Sequence, residues 1–208
     1  MVDTELYIID QAPVCVVLIM PVDVNSYAAH VLPVVEQVQP YTTINVLSNP
    51  IFVTGAVVKG FGRGSKLLGY PTANLDPNSF TTDINSLISG VYCGWCMICD
   101  TCSDDTHNTN NVYKTVLSIG TNPTFPDSIH KTVECYILHK YSGDFYNSTL
   151  HLCIAAFLRP QEKYNSMDQL MNAIHNDELI GNDLLNTNQQ IKQLQRHSFF
   201  TKYHNSAL

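Results

Sequence analysis

No cluster of basic residues occurs in this 208-residue sequence, whose 11 Lys and Arg are outnumbered by 18 Asp and Glu for a formal charge of −7. That argues against nucleic acid or an anionic membrane as a partner. It leaves phosphate ligands open, because they need only a few local donors. Long apolar runs are missing too. The longest near the N-terminus, Val14 to Met20, is far too short to span a bilayer. Asp3, Glu5 and Asp10 precede it, where a secretory signal would carry Lys or Arg. A short buried strand is the expected reading. An intracellular location is then expected, with the seven cysteines reduced. The Asn147-Ser148-Thr149 sequon then carries no meaning. No internal repeat is visible. A hydrophobic content of 45% is enough for one good core and excludes wholesale disorder.

Residues 1–50 differ in character from the rest of the chain. After the strand-like run at 14–20, Tyr27, Val31, Val34, Val35 and Val38 repeat at helical spacing, interrupted by Pro33. Asn49-Pro50 reads as a turn and a domain boundary. From Ile51 the signal is β: IFVTGAVV, GVYCGWCMI, VYKTVLSI, TVECYILH and TLHLCIAAFL are short β-rich runs separated by turn residues. Leu150, Leu152, Ile154, Ala156 and Leu158 alternate, which predicts one apolar strand face. Helix-length patterns are absent between these runs, so a parallel βαβ sheet is not expected. Five or six antiparallel strands closing into a small barrel fit the pattern. The polar stretch 100–112 reads as an exposed hairpin loop. After Arg159-Pro160 the period changes. Ser166 and Gln169 form a capping box, and Met167, Leu170, Met171 and Ile174 open a helix. Helical structure continues through Ile180, Leu184, Leu185, Ile191 and Leu194, with a break predicted at Gly181.

Cys93, Cys96, Cys99 and Cys102 recur at every third position, a spacing close to that of cysteines holding iron–sulfur clusters. On a strand, positions three apart face opposite sides. Cys93 and Cys99 then point one way and Cys96 the other, so no single ion gathers them, and no metal is expected there.

The densest special residues lie in TGAVVKGFGRGSKLLGYPTANLD, residues 54–76. Gly60, Gly62 and Gly64 alternate directly after a strand, with Arg63 and Lys66 beside them. Glycines let backbone N–H groups approach an anion, and the cations add charge, so this is a candidate phosphate cradle. A mobile glycine hairpin is the plainer alternative. The order Ser65-Lys66-Leu67 does not fit a Walker A loop, nor does the loop fit G-x-G-x-x-G. In Pro71-Thr72-Ala73-Asn74, a Thr hydroxyl and an Asn carbonyl two residues apart face one side, and such oxygen ligands suit Mg²⁺.

In combination, GAVVKGFGRGSKLLGYPTANL resembles the signature of ATP-dependent riboflavin kinases (flavokinases) of the monofunctional eukaryotic type. The resemblance continues in order through ISGVYCGW, VLSIGTNPTF, TVECYILH, GDFYNSTLHL and FLRPQEKYNSMDQL, across roughly residues 51–178. It implies a six-stranded antiparallel, Greek-key-like barrel with C-terminal α-helices that converts riboflavin and ATP to FMN and ADP. It implies Gly60, Lys66 and Thr72 near the nucleotide, with His139 and Tyr146 bordering it. Thr72 and Asn74 are implied at Mg²⁺ or another divalent cation, and Glu134 as the catalytic base. Arg159, Tyr164 and Leu170 are implied at the flavin. The kinase domain is then expected over 51–208, with its barrel at about 51–158 and its helical part at about 164–197.

Two features depart from the family pattern. The 97–112 hairpin is longer than the family needs. Residues 1–50 do not resemble the nucleotidyltransferase domain fused to bacterial riboflavin kinases, and no H-x-G-H motif occurs, so no FAD-forming activity is expected. A non-catalytic flavin-binding regulatory barrel is the alternative, disfavoured because Glu134 and the PTAN segment are both present. A cytosolic monomer is expected. The C-terminal Ser206-Ala207-Leu208 resembles the S-K-L peroxisomal address, which makes import into such an organelle the alternative location.

Overall fold

The computed structural model describes residues 4–8, 17–21, 44–60, 72–80, 82–99, 111–121, 131–141 and 143–204. The chain divides into two compact units, Met1–Gln37 and Val38–Leu208. In the first, β1 (Thr4–Ile8) pairs antiparallel with β2 (Val17–Pro21). The strand expected at 14–20 is thus present from Val17 onward. The helix expected around Tyr27–Val38 lies outside the described residues.

The second unit is built on β3 (Asn45–Val58), β4 (Thr72–Leu75), β5 (Gly90–Cys99), β6 (Tyr113–Thr121), β7 (Lys131–Ile137) and β8 (Thr149–Pro160). They close into an antiparallel barrel in the order β3-β4-β7-β6-β5-β8, with β8 returning to β3. The expected six-stranded barrel is therefore the fold. Asn49-Pro50 is not a turn between domains. It lies within β3, where the pairing with β8 slips between Val46 and Ile51. Such an irregularity accommodates a proline that could not donate to a regular ladder.

Alternation along each strand sends one set of side chains inward. Val57, Ala73, Leu117, Val133, Leu150 and Ile154 belong to the barrel interior. The interleaved set on β5 and β8 forms a second core outside the wall, including Val91, Trp95, Met97 and Ala155. The alternation expected from Leu150 to Leu158 holds only as far as Ile154. Pairing with β5 then shifts, so that Cys93 opposes Ala156 while Gly94 opposes Ile154. This bulge puts Ala155, Ala156 and Leu158 in the outer core and Phe157 in the inner one. The cysteines follow the strand rule. Cys96 faces inward, and Cys93 and Cys99 face the outer core. Burial raises the Cys93 thiol to about 12. Cys102 lies outside the described residues.

A short α1 (Thr82–Ser86) between β4 and β5 adds Ile84 to the inner core. The helices after β8, namely α2 (Met167–Thr187), α3 (Gln189–Gln193) and α4 (Ser198–His204), cover the outer core. Ser166 caps α2 by accepting from the Gln169 amide at 3.2 Å, and Gln169 Oε1 in return accepts from the Asn165 amide at 3.1 Å. The capping box is thus present, with its return bond one residue early. Ile180 and Leu185 are buried from α2, each contributing about 1.5–3 kcal/mol by transfer from water. Contrary to expectation, α2 does not break at Gly181. That residue is buried, and a Cβ built there would stand 2.8 Å from Val116 Cγ2. Its role is to let the helix lie close on β6. The helix ends at Asn188, whose side chain accepts from the Ile191 amide and starts α3. Trp95 Nε1 donates to the Ile191 carbonyl at 2.9 Å, pinning α3 to the wall. Among the described residues, no helix is long and apolar enough to cross a membrane.

One polar atom in the barrel core stands apart. The Tyr141 hydroxyl is buried with no hydrogen-bond partner among the described residues. Removing an unsatisfied group costs nothing, so Tyr141→Phe is expected to match or exceed the parent in thermal unfolding. A loss of more than about 1 kcal/mol would show that the hydroxyl is bonded after all.

Candidate active site on the outer face of β4, β7 and β6

The barrel's antiparallel order gives it two distinct ends. At one, β3 finishes at Val58, β4 begins at Thr72, and β7 finishes at Ile137. At the other, β7 begins at Lys131 and β8 finishes at Pro160.

On β4, Ala73 and Leu75 point into the core, so Thr72 and Asn74 share the outer face. These two residues lie on a paired strand and not on a loop. On β7, Val133, Cys135 and Ile137 point inward, leaving Thr132, Glu134 and Tyr136 outside. The register sets Asn74 opposite Glu134 and Thr72 opposite Tyr136. Directly opposed residues hold their Cβ atoms about 4.5–5.5 Å apart, so the Asn74 and Glu134 side chains are immediate neighbours. On its other side Glu134 opposes Ser118 of β6. Glu134 is also the middle residue of β7, equally far along the strand from both barrel ends.

Gly60 comes just after β3 and lies against Asn74, where a Cβ would come within 2.3 Å of Asn74 Nδ2. Only glycine lets the carboxamide and the backbone meet in this way. Lys66 lies outside the described residues, as do Gly62, Arg63 and Gly64. The segment between β7 and β8 folds back on β3: the Val57 amide donates to the Ser148 carbonyl and the Asn147 amide to the Val57 carbonyl, both at 2.9 Å. That return leaves Tyr146 exposed, with Lys59 Nζ 5.8 Å from its ring centroid. His139 is exposed and stacks on Tyr113, centroids 4.0 Å apart and planes 14° apart. Gly60, Thr72, His139 and Tyr146 therefore all lie at the same barrel end.

The residues implied at the flavin lie at the opposite end, at and after the close of β8. Tyr164 and Leu170 are half-buried. Arg159 is only 6% exposed, and its guanidinium grips Asp177 of α2 through two bonds of 2.7 and 2.6 Å. A third bond goes to the Pro160 carbonyl at 3.0 Å, and the Tyr164 ring centroid lies 5.8 Å away. Asp177 escaped the sequence reading. Its signal was an acid standing on the apolar stripe, three residues after Ile174 and three before Ile180.

Among the described residues, no group of three or more His, Cys, Asp or Glu could hold a metal ion. The Thr72 and Asn74 oxygens offer a different donor set. They are neutral, sit on one face, and leave most of a cation's coordination to water and phosphate, as Mg²⁺ requires.

The riboflavin kinase (flavokinase) family model matches residues 47–185. A riboflavin kinase of Mus musculus is 38% identical over 131 residues, spanning 62% of this chain and 77% of that protein. The bifunctional riboflavin kinase/FMN phosphatase of Arabidopsis thaliana is 40% identical over 129 residues, again 62% of this chain. Only 31% of that longer protein is spanned. The crystal structure of riboflavin kinase from Trypanosoma brucei superposes with a TM-score of 0.55 at 26% identity, covering 73% of this chain and 89% of the other. The matched segment holds the whole described face from Asn74 to Asp177, and the chain belongs to the riboflavin kinase family.

Proposed function

We propose that, as this chain produces FMN from riboflavin and ATP, phosphate is transferred over the outer face of β4 and β7 with Glu134 as proton acceptor. The observation that carries the reading is the pairing of Glu134 with Asn74 midway between the two barrel ends. Riboflavin approaches from the Arg159, Tyr164 and Leu170 end, and the nucleotide from the end bearing Gly60, Thr72, His139 and Tyr146, with Lys66 assigned to the nucleotide by the family resemblance alone. The 5′-hydroxyl oxygen of riboflavin attacks the γ-phosphorus, its bond to hydrogen breaks toward the Glu134 carboxylate, and ADP departs. Such a transfer needs positioning and charge stabilisation more than covalent catalysis. Gly60 brings backbone close to the phosphates, and Lys66 adds positive charge there.

Thr72 and Asn74 are the residues that would hold Mg²⁺ or another divalent cation. Bound there, it would neutralise phosphate charge during transfer. Asn74→Ala is expected to weaken metal-dependent ADP binding and to lower FMN formation while the barrel stays folded. Titrating ADP at several Mg²⁺ concentrations, beside an FMN assay by chromatography, tests this. An unchanged magnesium dependence would remove Asn74 from the site. We also read the chain as a monomer working in the cytosol, without nucleic-acid or membrane partners. The acidic balance and the family's small-molecule substrates support the part of that reading that concerns nucleic acid and anionic membranes.

A further inference from the structure

The chain leaving β8 does more than lead to α2. Pro160 pairs with Gly90 at the start of β5, and the next residue, Gln161, reaches across to β6. There Gln161 Nε2 donates to Ser118 Oγ at 3.0 Å. The same carboxamide covers Gly120, where a Cβ would come within 2.3 Å of Gln161 Oε1. Ser118 lies between Leu117 and Ile119, which both enter the barrel core, so its hydroxyl is on the outer face. Its register partner across the strand pair is Glu134.

A serine hydroxyl has one hydrogen to give and two lone pairs. Gln161 occupies a lone pair, which restricts how the hydroxyl can turn and leaves its hydrogen available. The Glu134 carboxylate is its register neighbour across the strand pair, on the same outer face, and is an acceptor for such a donor. From this arrangement we infer that Ser118, oriented by Gln161, is a positioning residue that holds the Glu134 carboxylate toward the reacting hydroxyl. Gln161 belongs to the segment running from Arg159 to Tyr164, at the flavin end of the barrel. The contact therefore ties the orientation of the proton acceptor to the seating of that segment.

This inference rests on the reading of Glu134 as proton acceptor. Its test is a double-mutant cycle on FMN formation with the full chain. Ser118→Ala is expected to lower kcat about tenfold, with the KM values for riboflavin and ATP held within about twofold, because a misaimed base weakens only the chemical step. Ser118→Thr keeps the hydroxyl and is expected to restore most of the rate. Gln161→Ala is expected to fall between Ser118→Ala and the parent. In the Glu134→Gln background, Ser118→Ala should cost nothing further. A residue that only supports the fold would cost the same in both backgrounds. Thermal unfolding of each variant shows whether the fold is intact.

Ser118→Ala turning over at the parent rate overturns the inference, and so does an equal loss in both backgrounds. Failure of the underlying reading looks different: Glu134→Gln alone would then retain the parent kcat.

Discussion

Glu134→Gln is expected to lower kcat by about 10²–10⁴-fold, the usual contribution of a positioned general base. Gln preserves the side chain's shape and its hydrogen-bonding reach but cannot accept the proton. The partly buried position on the outer face of β7 means that the substitution opens no cavity, so the barrel should unfold at its normal temperature. ATP affinity should change little, because a carboxylate gives the phosphates no attraction. Glu134→Asp should keep partial activity, limited by its shorter reach across the face shared with Asn74. The decisive measurement is single-turnover FMN formation, where product release cannot mask the chemical step. A Glu134→Gln protein that matches the parent there would make this residue structural, with His139, Asp144 or solvent left to take the proton.

The largest effect on stability is expected from Asp177→Ala. Arg159 and Asp177 are 6% and 3% exposed, and two charge-assisted bonds join them across the seam between β8 and α2. Removing the acid leaves a desolvated guanidinium without its carboxylate, and the neutral Pro160 carbonyl beside it does not balance the charge. Breaking a buried pair in this way costs about 3–5 kcal/mol. At roughly 2–4 °C per kcal/mol for a chain of this size, the melting temperature should fall by about 6–20 °C. Replacing both partners, as Arg159→Met with Asp177→Leu, should recover most of the loss, since no lone charge remains. The two variants also separate roles. The double variant should still bind riboflavin less well if Arg159 borders the flavin, even where stability is regained. Asp177→Ala melting with the parent would show that the charge pair does not hold α2 to β8.

The strands were legible because a half-buried strand writes its environment into alternate residues. TVECYIL and TANL each expose a polar or small residue at every second position, and the structure puts those positions outward. β8 was harder. Both of its faces are covered, so TLHLCIAAFL carries no polar marker where Ala155 and Ala156 shift the register. Gly181 misled for a related reason. A glycine in a helical pattern looks like a breaker until the sheet beneath is known, and here Val116 is what it makes room for. The candidate site was legible as residue types but not as a constellation. Nothing local indicates that Asn74 and Glu134, sixty residues apart, are strand partners, because β7 joins β4 only through the barrel's order. Ser118 and Gln161 were invisible on the same ground.

The inward and outward turns of β5 have a consequence for handling the protein. Cys93, Cys96, Cys135 and Cys153 are all buried, and burial holds the Cys93, Cys135 and Cys153 thiols up at about 12. Thiolates are the reactive species, so alkylating reagents meet these groups only when the wall parts. Cys96 and Cys135 look into the interior, while Cys93 and Cys153 look under the helices. Mass-resolved labelling of the two pairs thus becomes a pair of clocks. The outer pair times the lifting of the helices, the inner pair times the opening of the barrel, and the ratio of their rates reads whether the two events are one.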